Sequence, residues 1–269
     1  MIKFSGAKPV PLNLSEEDNF EINLDKLENL INDKTSLIII NNPNNPTGSF
    51  MNKNKIDKLV YMLEKFPNIH ILSDEIYSKI IFDKFKMPSF INYESLRDRL
   101  IVLDGWSKTY CMTGWRLGYC GGPKEIIAGM NKIQSQSNTS TSSISMAAAV
   151  EALNGDQDFI MKHNNEFIQR RDLVVKSLNA IDGISCQIPE GAFYVYPSCA
   201  GIIGKKTKNG DIIKNDEDFM NFLLESEGVA GVHGAAFGLS PYFRLSYATD
   251  KNTLIDACER ITRACKNLS

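Results

Sequence analysis

A lysine and an arginine eight residues apart, Lys108 and Arg116, stand in the string DGWSKTYCMTGWRLGY that fills positions 104–119. The apolar run LIVL at 100–103 comes directly before it and reads as a buried strand, with Gly105-Trp106-Ser107 as the turn that leaves it. A lysine at such an exit is held away from bulk water, where its amine can stay neutral and nucleophilic. Arg116 offers a planar, permanently charged fork of the kind that grips a phosphate. A Schiff-base lysine beside a phosphate clamp is what pyridoxal phosphate requires of a protein. Either residue alone reads as ordinary surface charge; the whole string does not.

Four more strings share the chain with it. NNPNNPTG (41–48) and SDEIY (73–77) lie upstream, PEGAFY (189–194) and YFRLSYA (242–248) downstream. Taken in this order, the five strings closely resemble the class I aminotransferases, members of the fold-type I group of pyridoxal phosphate enzymes, over nearly the whole chain. Between positions 121 and 265, the phrases GGPKE, RRDLVV, LNAIDG, YPSCAG and AFGLSPYFRLSYAT resemble bacterial aspartate aminotransferases that also accept aromatic or prephenate substrates. LDGWSKTY and SDEIYSKIIFD look more like the general class I group.

The resemblance implies an α/β fold of fold type I. A mostly parallel large-domain sheet would occupy residues 1–168 and a small α+β domain residues 169–269, in a homodimer. It implies an amino group moved between an amino acid, aspartate or an aromatic one, and a 2-oxo acid such as 2-oxoglutarate. Lys108 would carry the Schiff base and shuttle the α-proton. Asp74 would keep the cofactor's pyridine nitrogen protonated, and Tyr77 with Asn45 would hydrogen-bond its ring oxygen. Arg116, with Ser107, would hold the phosphate; many relatives carry a serine where this chain has Gly105. Arg244, together with Asn45, would bind the substrate, its fork gripping the α-carboxylate. Other pyridoxal phosphate chemistry, such as C–S or β-elimination, shares all these strings. An incomplete fragment is the third reading, because residues 1–14 resemble an internal strand and turn, and complete relatives have a substantial region ahead of them. His233 stands where many relatives have proline and is given no role.

Three short apolar runs must position the first three strings: 37–40, 69–72 and 100–103. Each is too short for a helix and apolar throughout, as expected of parallel strands covered on both faces. Ile56, Leu59, Val60 and Leu63 repeat at helical spacing between the first two runs, so strand, helix and strand imply a right-handed crossover. Ligands of such sheets gather beyond the strands' carboxyl ends, where residues 41–45, 73–77 and 104–108 fall. Helices are also expected at 124–133, 146–153, 164–180, 217–227 and 251–266, with a polar loop at 135–145 and small-domain strands at 193–196 and 243–248.

Composition narrows the partners. The 30 basic and 32 acidic residues leave a net charge of −2, and no basic block marks a nucleic-acid or anionic-membrane surface. Lys205, Lys206 and Lys208 are the densest basic spot and read as a solvated loop. Six scattered cysteines without a CxxC pair, and only three histidines, fit neither a zinc site nor a disulfide framework, which points to a reducing cytosol. No apolar run approaches membrane-spanning length.

Overall fold

The structure, a computed structural model, describes residues 2–83 and 85–269. The three apolar runs form the parallel strands β1 (Leu37–Asn41), β2 (His70–Asp74) and β3 (Leu100–Gly105). β4 (Gly118–Gly121) joins β3 antiparallel and completes the order β1-β2-β3-β4. The register sets Asn41 beside Asp74, and Asp74 beside Leu103, so the three strings leave the sheet from one edge. β4 has no apolar run that would announce it. Glycines make it possible: a Cβ on Gly105 would come 3.0 Å from the Gly118 Cα and from the Leu117 carbonyl oxygen.

Helix α1 (Leu24–Leu30) and helix α2 (Lys53–Leu63) cover one face of this sheet. Asn52 caps α2 by accepting the Lys55 N–H, and the helix buries Ile56, Leu59, Val60, Met62 and Leu63 against Ile40, Ile71 and Leu100. Strand side chains alternate between faces, so Ile38 and Ile40 meet this core while Leu37 and Ile39 point the other way. Those two remain 41% and 49% exposed, which corrects the expectation of burial on both faces of β1. Residues 2–14 are corrected too. They form turns at 2–6 and then irregular chain instead of a strand, and β1 remains an edge strand paired with β2.

The polar stretch at 135–145 is mostly helix. Helix α3 (Lys124–Ser137) runs into its start and α4 (Ser143–Asn154) begins before its end, with Ser142 accepting the Ser145 N–H as cap. Helix α5 (Asp158–Asn179) is longer at its start than the amphipathic pattern indicated. Its last turns pack Val174, Val175 and Leu178 against helices α6 (Asp216–Glu227) and α7 (Lys251–Lys266). A small antiparallel sheet closes this second core, in the order β5 (Tyr194–Val195), β7 (Phe243–Ser246), β6 (Val232–His233). Tyr77, Ile80 and Phe82, just past β2, are buried in the same core.

Arg171 of α5 ties these parts together. Its buried guanidinium donates to Asp83 at 2.6 Å and to the Pro189 carbonyl at 3.2 Å, and lies 5.3 Å from the centre of the Phe82 ring. Arg171→Ala is expected to cost about 2–4 kcal/mol, since it removes the fork and leaves the Pro189 carbonyl unpaired. Urea unfolding curves measure this directly; a loss within 0.5 kcal/mol, about that of an ordinary surface substitution, would show the link to be dispensable.

Candidate active site

The NNPNNPTG string leaves β1 as a loop fixed by its own amides. Asn42 is buried and accepts the Met51 N–H at 2.8 Å, and Asn44 accepts the Thr47 hydroxyl at 2.8 Å. Asn41 reaches in two directions: its Oδ1 accepts the Asn45 N–H at 2.7 Å, and its Nδ2 donates to the Asp74 carbonyl at 3.1 Å. Gly48, with φ +70°, turns its carbonyl to accept the N–H groups of Glu190 and Gly191, both at 3.0 Å. A side chain at Gly48 would strike the Pro189 ring, so only glycine lets the first loop and the PEGAFY segment meet.

Asp74 ends β2. Its Oδ1 accepts the Ile76 N–H at 3.2 Å. Burial pushes the carboxyl above the ordinary carboxylate range, against the opposing pull of that N–H and of the Lys108 charge. Lys108 follows β3, its Nζ 6.0 Å from the Tyr77 ring centre and 5.8 Å from that of Phe193. Among the described residues no carboxylate forms an ion pair with it. Tyr77, 3% exposed, sets its hydroxyl 3.1 Å from that of Tyr194, and burial, followed by this contact, pushes the Tyr77 phenol far up.

Arg244 comes from β7. Its Nη1 donates to Asn45 Oδ1 at 2.9 Å, and the guanidinium lies 4.6 Å from the Tyr194 ring centre and 5.0 Å from that of Phe237. The contacts close on themselves. They run from Asp74 through Asn41, Asn45, Arg244, Tyr194 and Tyr77 to Lys108, whose charge acts back on Asp74. Five of the predicted residues, from 45 to 244 in sequence, thus share one network of contacts.

The family model described as aminotransferase class I and II matches residues 1–261. The chain belongs to the class I and II aminotransferases. It is 47% identical, over 98% of its length, to a probable aspartate/prephenate aminotransferase of Rhizobium leguminosarum bv. phaseoli, and 46% identical to an aspartate aminotransferase of Rhizobium meliloti (strain 1021), again over 98%. These relatives are covered over 66% and 64% of their own length, so the chain spans about two thirds of them. The solved aspartate aminotransferase of Rhizobium meliloti superposes with a TM-score of 0.94 at 45% identity, covering 98% of this chain and 66% of that one. The α/β fold of fold type I is therefore the fold of this chain.

Two of the predicted residues stand apart from the closed set. Arg116 adopts a left-handed backbone (φ 54°), and its exposed Nη1 donates to the Thr113 carbonyl at 3.0 Å. Ser107 is half-buried on the turn after β3. A side chain at Gly105 would press on β4, its Cβ coming 3.0 Å from the Gly118 Cα and the Leu117 carbonyl oxygen. Four residues of this network were not singled out from sequence: Asn41, Phe193, Tyr194 and Phe237. All four lie inside strings already noted, Asn41 at the strand end and Phe193-Tyr194 closing PEGAFY. Phe237 had the string AFGLSPYF around it, but nothing in its spacing marked it as a neighbour of Arg244.

Proposed function

We propose that this site carries pyridoxal phosphate-dependent transamination, moving an amino group between aspartate or an aromatic amino acid and a 2-oxo acid such as 2-oxoglutarate. The observation that carries this reading is the closed set of contacts joining Lys108, Asp74, Tyr77, Asn45 and Arg244. The donor set fits the cofactor. A lysine without a carboxylate partner faces two aromatic rings, and a half-buried carboxylate within reach of its charge keeps Oδ2 unengaged among the described residues. When bound, pyridoxal phosphate supplies an electron-accepting ring that makes the substrate's α-proton acidic.

Every other task falls to the chain. Lys108 would hold the cofactor and carry the proton away from and back to the substrate. Asp74 would keep the ring nitrogen protonated, and Tyr77 and Asn45 would donate toward the ring oxygen. Arg116 and Ser107 are assigned to the phosphate. Arg244 receives the α-carboxylate by two parallel hydrogen bonds, Asn45 holding its fork in place. We assign residues 1–168 to the cofactor-binding domain and 169–269 to the small domain, the division falling within α5. A cytosolic homodimer suits the six free cysteines and the exposed apolar side chains Ile133 and Ile144 at the facing ends of α3 and α4 in sequence.

The test is a single half-reaction. Cofactor-loaded protein given aspartate without any 2-oxo acid should release oxaloacetate in an amount equal to the enzyme and no ammonia. Continuous ammonia release would assign elimination instead. Arg244→Leu is expected to raise the amino-acid KM by about 30-fold or more, the effect of roughly 2–5 kcal/mol for a carboxylate left unpaired. Cofactor attachment at Lys108 should persist. A KM within a factor of two of the parent would take Arg244 out of the binding site.

A further inference from the structure

We infer that Tyr194 is a positioning residue that joins the two halves of this site, its hydroxyl setting the Tyr77 phenol and its ring face setting the Arg244 guanidinium. The inference rests on the reading just given. Neither half of the arrangement is an accident of packing. Val195 pairs with Leu245 and Tyr194 with Ser246, so Arg244 is the diagonal neighbour of Tyr194 on the same face of the small sheet. That register puts the guanidinium 4.6 Å from the ring centre, with the Phe237 ring 5.0 Å from the guanidinium. The guanidinium thus lies over two aromatic rings while its Nη1 donates to Asn45, and its remaining N–H groups are the donors a carboxylate would meet.

The other end of the same side chain meets Tyr77. Both residues are buried, 7% and 3% exposed, so each hydroxyl needs a partner, and the two lie 3.1 Å apart. A phenol both donates and accepts. Once Tyr77 donates toward a ring oxygen, Tyr194 is placed to donate to Tyr77, and a donor that itself accepts a hydrogen bond is strengthened. Burial, the largest cause, pushes the Tyr77 phenol far up and keeps it neutral, and therefore a donor, throughout the working pH range. One rigid side chain thus holds a group facing the cofactor and a group facing the substrate.

The two halves separate experimentally. In the cofactor-loaded full chain, Tyr194→Phe keeps the ring and removes the hydroxyl. The midpoint of the pH-dependent change in cofactor absorbance should move up by about half a unit, as expected for losing one supporting hydrogen bond. The affinity for maleate, a dicarboxylate that cannot react, should stay within about twofold by calorimetry, because the ring still faces Arg244. Tyr194→Leu removes the ring as well and should weaken maleate binding about five- to tenfold, with or without cofactor. Tyr194→Met, which refills the space with a flexible side chain, replaces it if the leucine variant does not fold. An unchanged midpoint in Tyr194→Phe, or maleate binding as tight as the parent in the ring-less variant, overturns the inference. Equal changes in both measurements for both variants would reduce Tyr194 to a packing role. If the parent chain binds no cofactor at Lys108, the transamination reading and the hydroxyl half fall together, and the maleate comparison still decides the ring half.

Discussion

Lys108→Ala should abolish covalent attachment of pyridoxal phosphate and lower transamination by at least about 10⁴-fold, the scale of removing a residue that is both point of attachment and proton carrier. Borohydride treatment of the loaded parent chain should leave a pyridoxyl group on the peptide that contains Lys108. The alanine variant should leave none. The structure sharpens this expectation. The Lys108 amine faces the rings of Tyr77 and Phe193 and has no carboxylate partner among the described residues, while the charges of Lys108 and Asp74 act on each other. Lys79, also near the end of the sheet, is exposed and acts on Asp104 instead. Pyridoxyl on any lysine other than Lys108 would remove the central assignment. Stability is a useful control, because the half-buried Lys108 side chain makes no hydrogen bond among the described residues, and its backbone carbonyl keeps the Cys111 N–H in the alanine variant.

Much of the large sheet is legible in the sequence because parallel strands advertise themselves as short apolar runs, and the three runs match β1, β2 and β3 within a residue or two. The polar strings after those runs gather at one edge for the same reason: the register aligns Asn41, Asp74 and Leu103. β4 escaped because pairing through glycine leaves no hydrophobic trace. The exposed side chains of Leu37 and Ile39 escaped for a different reason. An apolar run records what a strand is suited to bury against, and cannot say whether this stretch of chain supplies the cover. Tyr194 shows a third limit. Its pattern value is that of a core residue in a short strand, and its second contact, to Arg244, depends on a diagonal across β5 and β7 that only the register defines. Arg116 marks the opposite case. The string around it is distinctive, yet its guanidinium turns back to its own loop, so position in a motif located the residue without fixing its direction.

Asp74→Asn should cut the rate of α-proton abstraction by roughly 10³-fold, about 4 kcal/mol, while raising the thermal stability of the cofactor-free chain at neutral pH. The first effect follows from the role assigned to the carboxylate. An amide cannot hold a positive charge on the ring nitrogen, so a preorganised electrostatic partner of the developing carbanion is lost. The second follows from burial. The Asp74 carboxyl is pushed above the ordinary carboxylate range in the folded chain, and desolvation is the largest cause. A raised acid pKa means that the folded state binds this proton more tightly than the unfolded state does. Stability from this group is therefore greatest below its unfolded pKa and is lost as pH rises through the folded pKa, so above that point the chain bears the full cost of a buried charge. Asparagine keeps the shape and can still accept the Ile76 N–H, but carries no charge to desolvate. The melting temperature of the variant should exceed that of the parent at pH 7, and the two should converge as pH falls below the ordinary carboxylate range. A parent chain at least as stable as the variant at pH 7 would show that Asp74 is a satisfied turn cap, and a near-parental rate would say the same of its chemistry. The joint outcome, slower and more stable, is the signature of a carboxylate kept for what it does to a ligand and not for what it does to the fold.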